Sequence, residues 1–154
     1  MSNTVKYLLD ANLVIAALDK EGTTSESKRL EAKQRLIELL SRDDVALAVT
    51  PLICYEVLRG IPWSSSEHYQ AMAKILDGFM SFDITRDVAD LAAGLYRFDG
   101  NEARQSGIAK NLDKRKFDVF HYACSIHHDL QLASADSDFT HIDELYQRYR
   151  NALS

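Results

Sequence analysis

Four carboxylates stand where a carboxylate needs a reason. Asp10 ends the apolar run Val5-Lys6-Tyr7-Leu8-Leu9 and precedes Ala11-Asn12 and a second run, Leu13 to Leu18. Glu56 sits within Leu52-Ile53-Cys54-Tyr55-Glu56-Val57-Leu58, a stretch that is apolar nearly all the way round a helix. Asp118 is set among Phe117, Val119 and Phe120, and Asp136 follows Ser134 by two residues, with Asp138 two further on. Each has an ordinary explanation. Asp is a favoured helix N-cap. Arg59 lies three residues beyond Glu56 on the same face. An acid in a first helical turn offsets the dipole, and Asp136 or Asp138 suits a turn. Of that pair Asp136 is the better site residue, because Asp138 is placed to start the last helix. Gathered at one edge of a sheet, such carboxylates repel one another unless a cation sits between them. An all-oxygen donor set favours Mg²⁺ or Mn²⁺ over zinc. Carboxylates around such ions are a standard arrangement for phosphodiester hydrolysis.

The elements that would position them alternate along the chain. Val5–Leu9 reads as a strand buried on both faces, followed by a helix with Leu13, Ala16, Ala17 and Lys20 on one side. An amphipathic helix is predicted from Ser25 to Arg42, with its stripe through Leu30, Ile37 and Leu40. A strand follows at Ala46–Val49. Thr50-Pro51 then opens a helix that Gly60 closes. A helix over 67–76, a third strand over 79–84 and a long helix over 85–105 come next, the last with Val88, Leu91, Ala92 and Leu95 inward. The stretch 106–116 is polar and basic. A helix over 117–128, a fourth strand over 130–134 and a final helix within 138–149 complete the chain. This order predicts one α/β domain over residues 1–154 with a small, mostly parallel sheet.

Composition narrows the function classes. At 46% hydrophobic and 27% charged residues the chain is neither disordered nor membrane-embedded. No run is long enough to span a bilayer, and the N-terminus lacks a signal-peptide pattern. Cys54 and Cys124 read as buried thiols of a reducing cytoplasm. A net charge of −5 argues against passive nucleic-acid binding by surface charge. The exception is local: Arg104, Lys110, Lys114, Arg115 and Lys116 face one acid, Asp113, and lead directly to Asp118. They are candidates for phosphate contacts, or for a solvated loop. His121, His127 and His128 read as core or surface residues rather than ligands in an oxygen-donor setting.

Four stretches together resemble the PIN-domain ribonucleases, and within them the VapC-like toxins of type II toxin–antitoxin pairs. They are Leu8-Leu9-Asp10-Ala11-Asn12-Leu13-Val14-Ile15, Thr50 to Gly60, Phe117-Asp118-Val119-Phe120-His121-Tyr122-Ala123, and Leu132-Ala133-Ser134-Ala135-Asp136-Ser137-Asp138-Phe139. The resemblance implies a PIN-like three-layer sandwich, with helices around a central parallel sheet. It also implies an acidic metal site of Asp10, Glu56, Asp118 and Asp136, which hydrolyses RNA with Mg²⁺ or Mn²⁺. Asn12 and Ser134 are then candidates for orienting carboxylates or water, with Arg59 and Asp138 in support. Two positions depart from the family pattern: Ala11 and Ser134 stand where Thr is usual, and only Ser134 keeps a hydroxyl. The expected partners are RNA, a small antitoxin and a second copy of the chain. Two other readings compete. An aspartyl-phosphate phosphatase would want a carboxylate at position 12, where the chain has Asn12. A catalytically silent PIN-like module would bind RNA or a partner without cutting it.

Overall fold

The fully buried Leu8 and Leu9 place β1 (Val5–Leu9) inside a sheet. The computed structural model describes residues 4–18, 24–107, 112–134 and 138–154, which divide into two compact units. The first spans Met1–Asp83 with Asp129–Asp136, and the second Ile84–His128 with Ser137–Ser154.

The first unit holds the whole described sheet. β1 pairs in parallel with β2 (Val45–Val49) on one side and β4 (Gln131–Ala133) on the other, and β2 pairs with β3 (Met80–Ser81). The order is β3-β2-β1-β4. Every described pairing is parallel, so the carboxyl ends of the strands share one edge. Leu8, Ala48 and Val49 are all but inaccessible, which is why these strands read as apolar runs rather than alternations. The expected six-residue third strand is only Met80–Ser81, extended by one bond from Phe82 N to Val49 O at 3.0 Å. Both its residues are exposed, as befits a short, blunted edge, and the chain then turns toward the cap at Thr85.

Four helices belong to this unit: α1 (Ala11–Leu18), α2 (Glu26–Leu40), α3 (Pro51–Arg59) and α4 (Ser66–Asp77). Ser25 caps α2, and Thr50 caps α3 by accepting from Ile53 N at 3.2 Å, with Pro51 at the first helical position. α1 packs against both α2 and α3. The stripe expected to face inward on α2 faces out. Leu30, Ile37 and Leu40 are 58–65% exposed, and the buried side is Ala32, Leu36 and Leu39. α2 packs against α1, where alanine allows a close approach, and its low hydrophobicity hid that side in the pattern. Of the expected inner face of α1, Leu13, Ala16 and Ala17 are buried, while Lys20 lies outside the described residues.

The second unit is helical: α5 (Arg86–Ser106), α6 (Leu112–His127) and α7 (Asp138–Leu153) pack on one another. Thr85 caps α5, and Gly107, at φ 67°, ends it in the left-handed conformation that glycine adopts without strain. α6 begins five residues before the expected Phe117. Lys and Arg are good helix formers, so a charged segment that reads as a loop by apolar periodicity supplies the first turn. Tyr122 donates to Asp143 Oδ1 at 2.6 Å and packs edge-on against Tyr146, joining α6 to α7. Among the described residues, no helix is long and apolar enough to cross a membrane.

Candidate functional site

Asp10 lies at the first residue past β1, and parallel pairing brings Ser134 to the same edge at the end of β4. The β1–β4 register, Leu9 opposite Ala133, continues into a bond from Asp10 N to Ala133 O at 2.9 Å. The Asp10 carbonyl accepts from Leu13 N and Val14 N, so Asp10 stands at the N-cap position of α1. Asp10 as a residue is 3% exposed, and the Ser134 hydroxyl donates to its Oδ2 at 3.0 Å. Capping position and candidate ligand therefore coincide in one residue. Such placement, at the carboxyl edge of parallel strands, is where α/β sheets bind ligands.

A cleft of about 710 Å³ opens beside this carboxylate. Asn12 and Ser134 line it on the sheet side, and Lys28, Glu31 and Arg35 line it from α2. These three were missed from sequence. The available signal was their spacing of three and four along one helical face, masked by attention to the apolar stripe on another.

Glu56 belongs to the same unit but not to a buried helix. α3 buries only Ile53 and Val57, Tyr55 is 55% exposed, and Glu56 is half-buried. The all-round apolar composition of α3 thus misled: one side packs and the other is open. Arg59 sits over the Tyr55 ring at 5.6 Å. Cys54 is half-buried rather than enclosed, and Cys124 is buried; both are free thiols raised above their ordinary pKa by burial, Cys124 to about 11.

The other candidates belong to the second unit. Asp118 is half-buried in the second turn of α6, not the first, because α6 starts early. Compensation of the dipole at a first turn is therefore not its role. Arg104 occupies the last turn of α5, where a cation suits the helix dipole. Lys114, Arg115 and Lys116 are helical, with the Lys116 ammonium 5.3 Å from the centre of the Phe117 ring. Of the basic residues described, Arg104 thus belongs to α5 and Lys114, Arg115 and Lys116 to α6. Asp136 and Lys110 lie outside the described residues, and Asp138 opens α7. His121 is fully buried in α6. Sequence reasoning passed over Asp99, 1% exposed on α5, although it continues the buried series Val88, Ala92, Leu95. Nearby, Arg148 makes a two-pronged bond to Glu102 at 2.8 and 3.0 Å, which raises its pKa, with a smaller contribution from Asp99.

The donor atoms at the sheet edge, the Asp10 carboxylate and the Ser134 hydroxyl, are oxygens. That chemistry fits a hard divalent cation such as Mg²⁺ or Mn²⁺. Within the described residues of either unit, no three His, Cys, Asp or Glu side chains gather as a metal-holding group.

The PIN domain family model matches residues 7–145. Among solved structures, the chain is similar to a toxin–antitoxin complex from Klebsiella pneumoniae, at 21% identity and TM-score 0.52 over 82% of each chain. It is similar to VapBC2 from Rickettsia felis bound to a promoter DNA fragment, at 18% identity and TM-score 0.60 over 90% of this chain and 93% of that one. DNA-bound VapBC from Salmonella typhimurium matches at 10% identity and TM-score 0.52, over 86% of this chain and all of that one. No curated protein sequence matches. At these identities the likeness is one of fold.

Proposed function

The chain belongs to the PIN domain family, and from that premise we propose that it is a metal-dependent endoribonuclease, the VapC-like toxin of a toxin–antitoxin pair. The observation that carries the reading is Asp10: a buried acid at the carboxyl edge of a parallel sheet, bonded by the Ser134 hydroxyl, with a cleft lined by its neighbours Asn12 and Ser134. An acidic side chain is rarely buried so completely unless it is paired, and a bound cation would supply such a partner. Asp10, Glu56, Asp118 and Asp136 would hold Mg²⁺ or Mn²⁺. When bound, that ion supplies stabilisation of charge on the phosphoryl oxygens and activation of water for hydrolysis.

The remaining roles belong to the protein. Ser134 fixes the rotamer of the Asp10 carboxylate through its hydrogen bond. Asn12, exposed on the first turn of α1, is placed to orient water or a phosphate oxygen. Arg59 and Asp138 are supporting residues, and Arg104, Lys110, Lys114, Arg115 and Lys116 contribute phosphate contacts. The proposed partners are RNA, a small antitoxin and a second copy of the chain, in the cytoplasm. The likeness in fold to one toxin–antitoxin complex and two VapBC structures supports the toxin reading.

The test is cleavage of total RNA with millimolar Mg²⁺ or Mn²⁺, against the same reaction in chelator. Metal-dependent fragments that Asp10→Asn, Glu56→Gln and Asp118→Asn abolish are the expected result. Intact RNA with folded wild-type protein would leave the silent binding module in its place.

A further inference from the structure

We propose that the cleft between α1 and α2 is the groove along which a single RNA strand reaches Asp10, with Lys28 and Arg35 contacting its phosphates. This rests on the nuclease reading and names where the substrate lies. The sequence alone placed phosphate contacts between Arg104 and Lys116; the cleft places a second set in the first unit, on α2.

Lys28 and Arg35 are both exposed, seven residues apart and close to the same helical face. At the rise of an α-helix they stand about 10 Å apart along the axis, too far to clamp one phosphate and suited to two along a strand. Lys28 lies in the first turn of α2, where its own N–H is capped by Ser25 Oγ and the dipole favours anions. The Arg35 guanidinium sits 5.9 Å from the centre of the Tyr7 ring, which braces it at the sheet. The opposite wall offers Asn12 and Ser134, the latter bonded to Asp10. Cations on one wall and hydrogen-bonding groups on the other suit a sugar–phosphate backbone. The volume, about 710 Å³, is within the range of ligand clefts. Glu31 stands between the two cations and opposes a polyanion.

The experiment measures steady-state cleavage and equilibrium binding of one fluorescent single-stranded RNA oligonucleotide, the latter in chelator over a salt series. The proteins are wild type, Lys28→Ala, Arg35→Ala, the double variant, Glu31→Gln, and Lys74→Ala on the exposed side of α4 as a charge control. Lys28→Ala and Arg35→Ala each raise KM and Kd about fivefold with kcat unchanged, and each lowers the slope of log Kd against log salt by about 0.7, the value for one single-strand phosphate contact. The double variant loses twice that slope, Glu31→Gln binds more tightly, and Lys74→Ala matches wild type. Glutamine replaces alanine where an alanine variant melts below wild type. RNA binding or cleavage that both cleft variants leave with unchanged KM, Kd and slope overturns the groove and spares the nuclease. Equal losses in Lys74→Ala reduce the effect to net charge and overturn it as well. A wild-type protein that neither binds nor cuts RNA overturns both readings.

Discussion

At the scale of single residues, Asp10 holds the N-cap position of α1 and accepts a hydrogen bond from the Ser134 hydroxyl at 3.0 Å. What the sequence could not give was its partner, since Ser134 is 124 residues away and reaches it only through the β1–β4 pairing. If the hydroxyl orients a metal-holding carboxylate, Ser134→Ala lowers apparent Mg²⁺ affinity roughly 10- to 100-fold. Ser134→Thr, which restores the hydroxyl, recovers it. Metal titrations of RNA cleavage by the two variants check this, and equal affinity in Ser134→Ala and wild type would remove Ser134 from the site. The thiols give a second residue-scale expectation. The thiolate is the reactive form, so a pKa raised to about 11 keeps Cys124 protonated at pH 8 as well as buried. With a thiol reagent at that pH, Cys54 is labelled first and Cys124 only after denaturant is added. Rapid labelling of both in native protein would contradict the burial of Cys124.

At the scale of elements, periodicity found the helices better than it found their faces. On α2 it chose Leu30, Ile37 and Leu40, which are exposed, over Ala32, Leu36 and Leu39, which are buried. Both stripes repeat at helical spacing, and only the packing of α2 against α1 decides between them. Leu36→Ala should therefore cost about 2–5 kcal/mol through the cavity it leaves. Leu30→Ser and Ile37→Ser should stay within about 0.5 kcal/mol of wild type, as surface changes do. Urea unfolding curves distinguish the two faces, and the reverse ranking would put the core on the other side of α2. α5 offers the opposite lesson, since Val88, Ala92 and Leu95 are buried as their spacing predicts. Within it Gly94 is not a loose end. A Cβ there would overlap the Tyr149 hydroxyl and lie 2.9 Å from the ring carbon that bears it, and the ring is already packed edge-on against Phe98. Gly94→Ala should lower the melting temperature despite a helix-propensity gain of about 1 kcal/mol. A rise would show that Tyr149 yields freely.

At the scale of the whole molecule, the sequence predicted one domain, and the family match over residues 7–145 runs through both units. The α/β class and the parallel sheet were legible because β1 and β2 are short apolar runs, each followed within two residues by a helix start. The division into a sheet unit and a helical unit was not, since it depends on which helices cover which surface. We propose that the two units unfold together, giving one calorimetric transition with equal calorimetric and van't Hoff enthalpies. Metal linkage extends that measurement. Mg²⁺ that binds the folded protein but not the unfolded chain adds about 2.7 kcal/mol at a hundredfold excess over its dissociation constant. In chelator, Asp10 is a buried acid at the sheet edge, and the cost of holding its charge there is one that Asp10→Asn removes at nearly constant volume. Asp10→Asn should then melt above wild type in chelator yet gain much less from Mg²⁺, and Asp118→Asn should do the same if it shares the ion. A Mg²⁺ shift identical in all three proteins would mean that neither carboxylate holds the metal. Asp10 would then be a buried N-cap residue steadied by Ser134, and the silent binding module the better account of the chain.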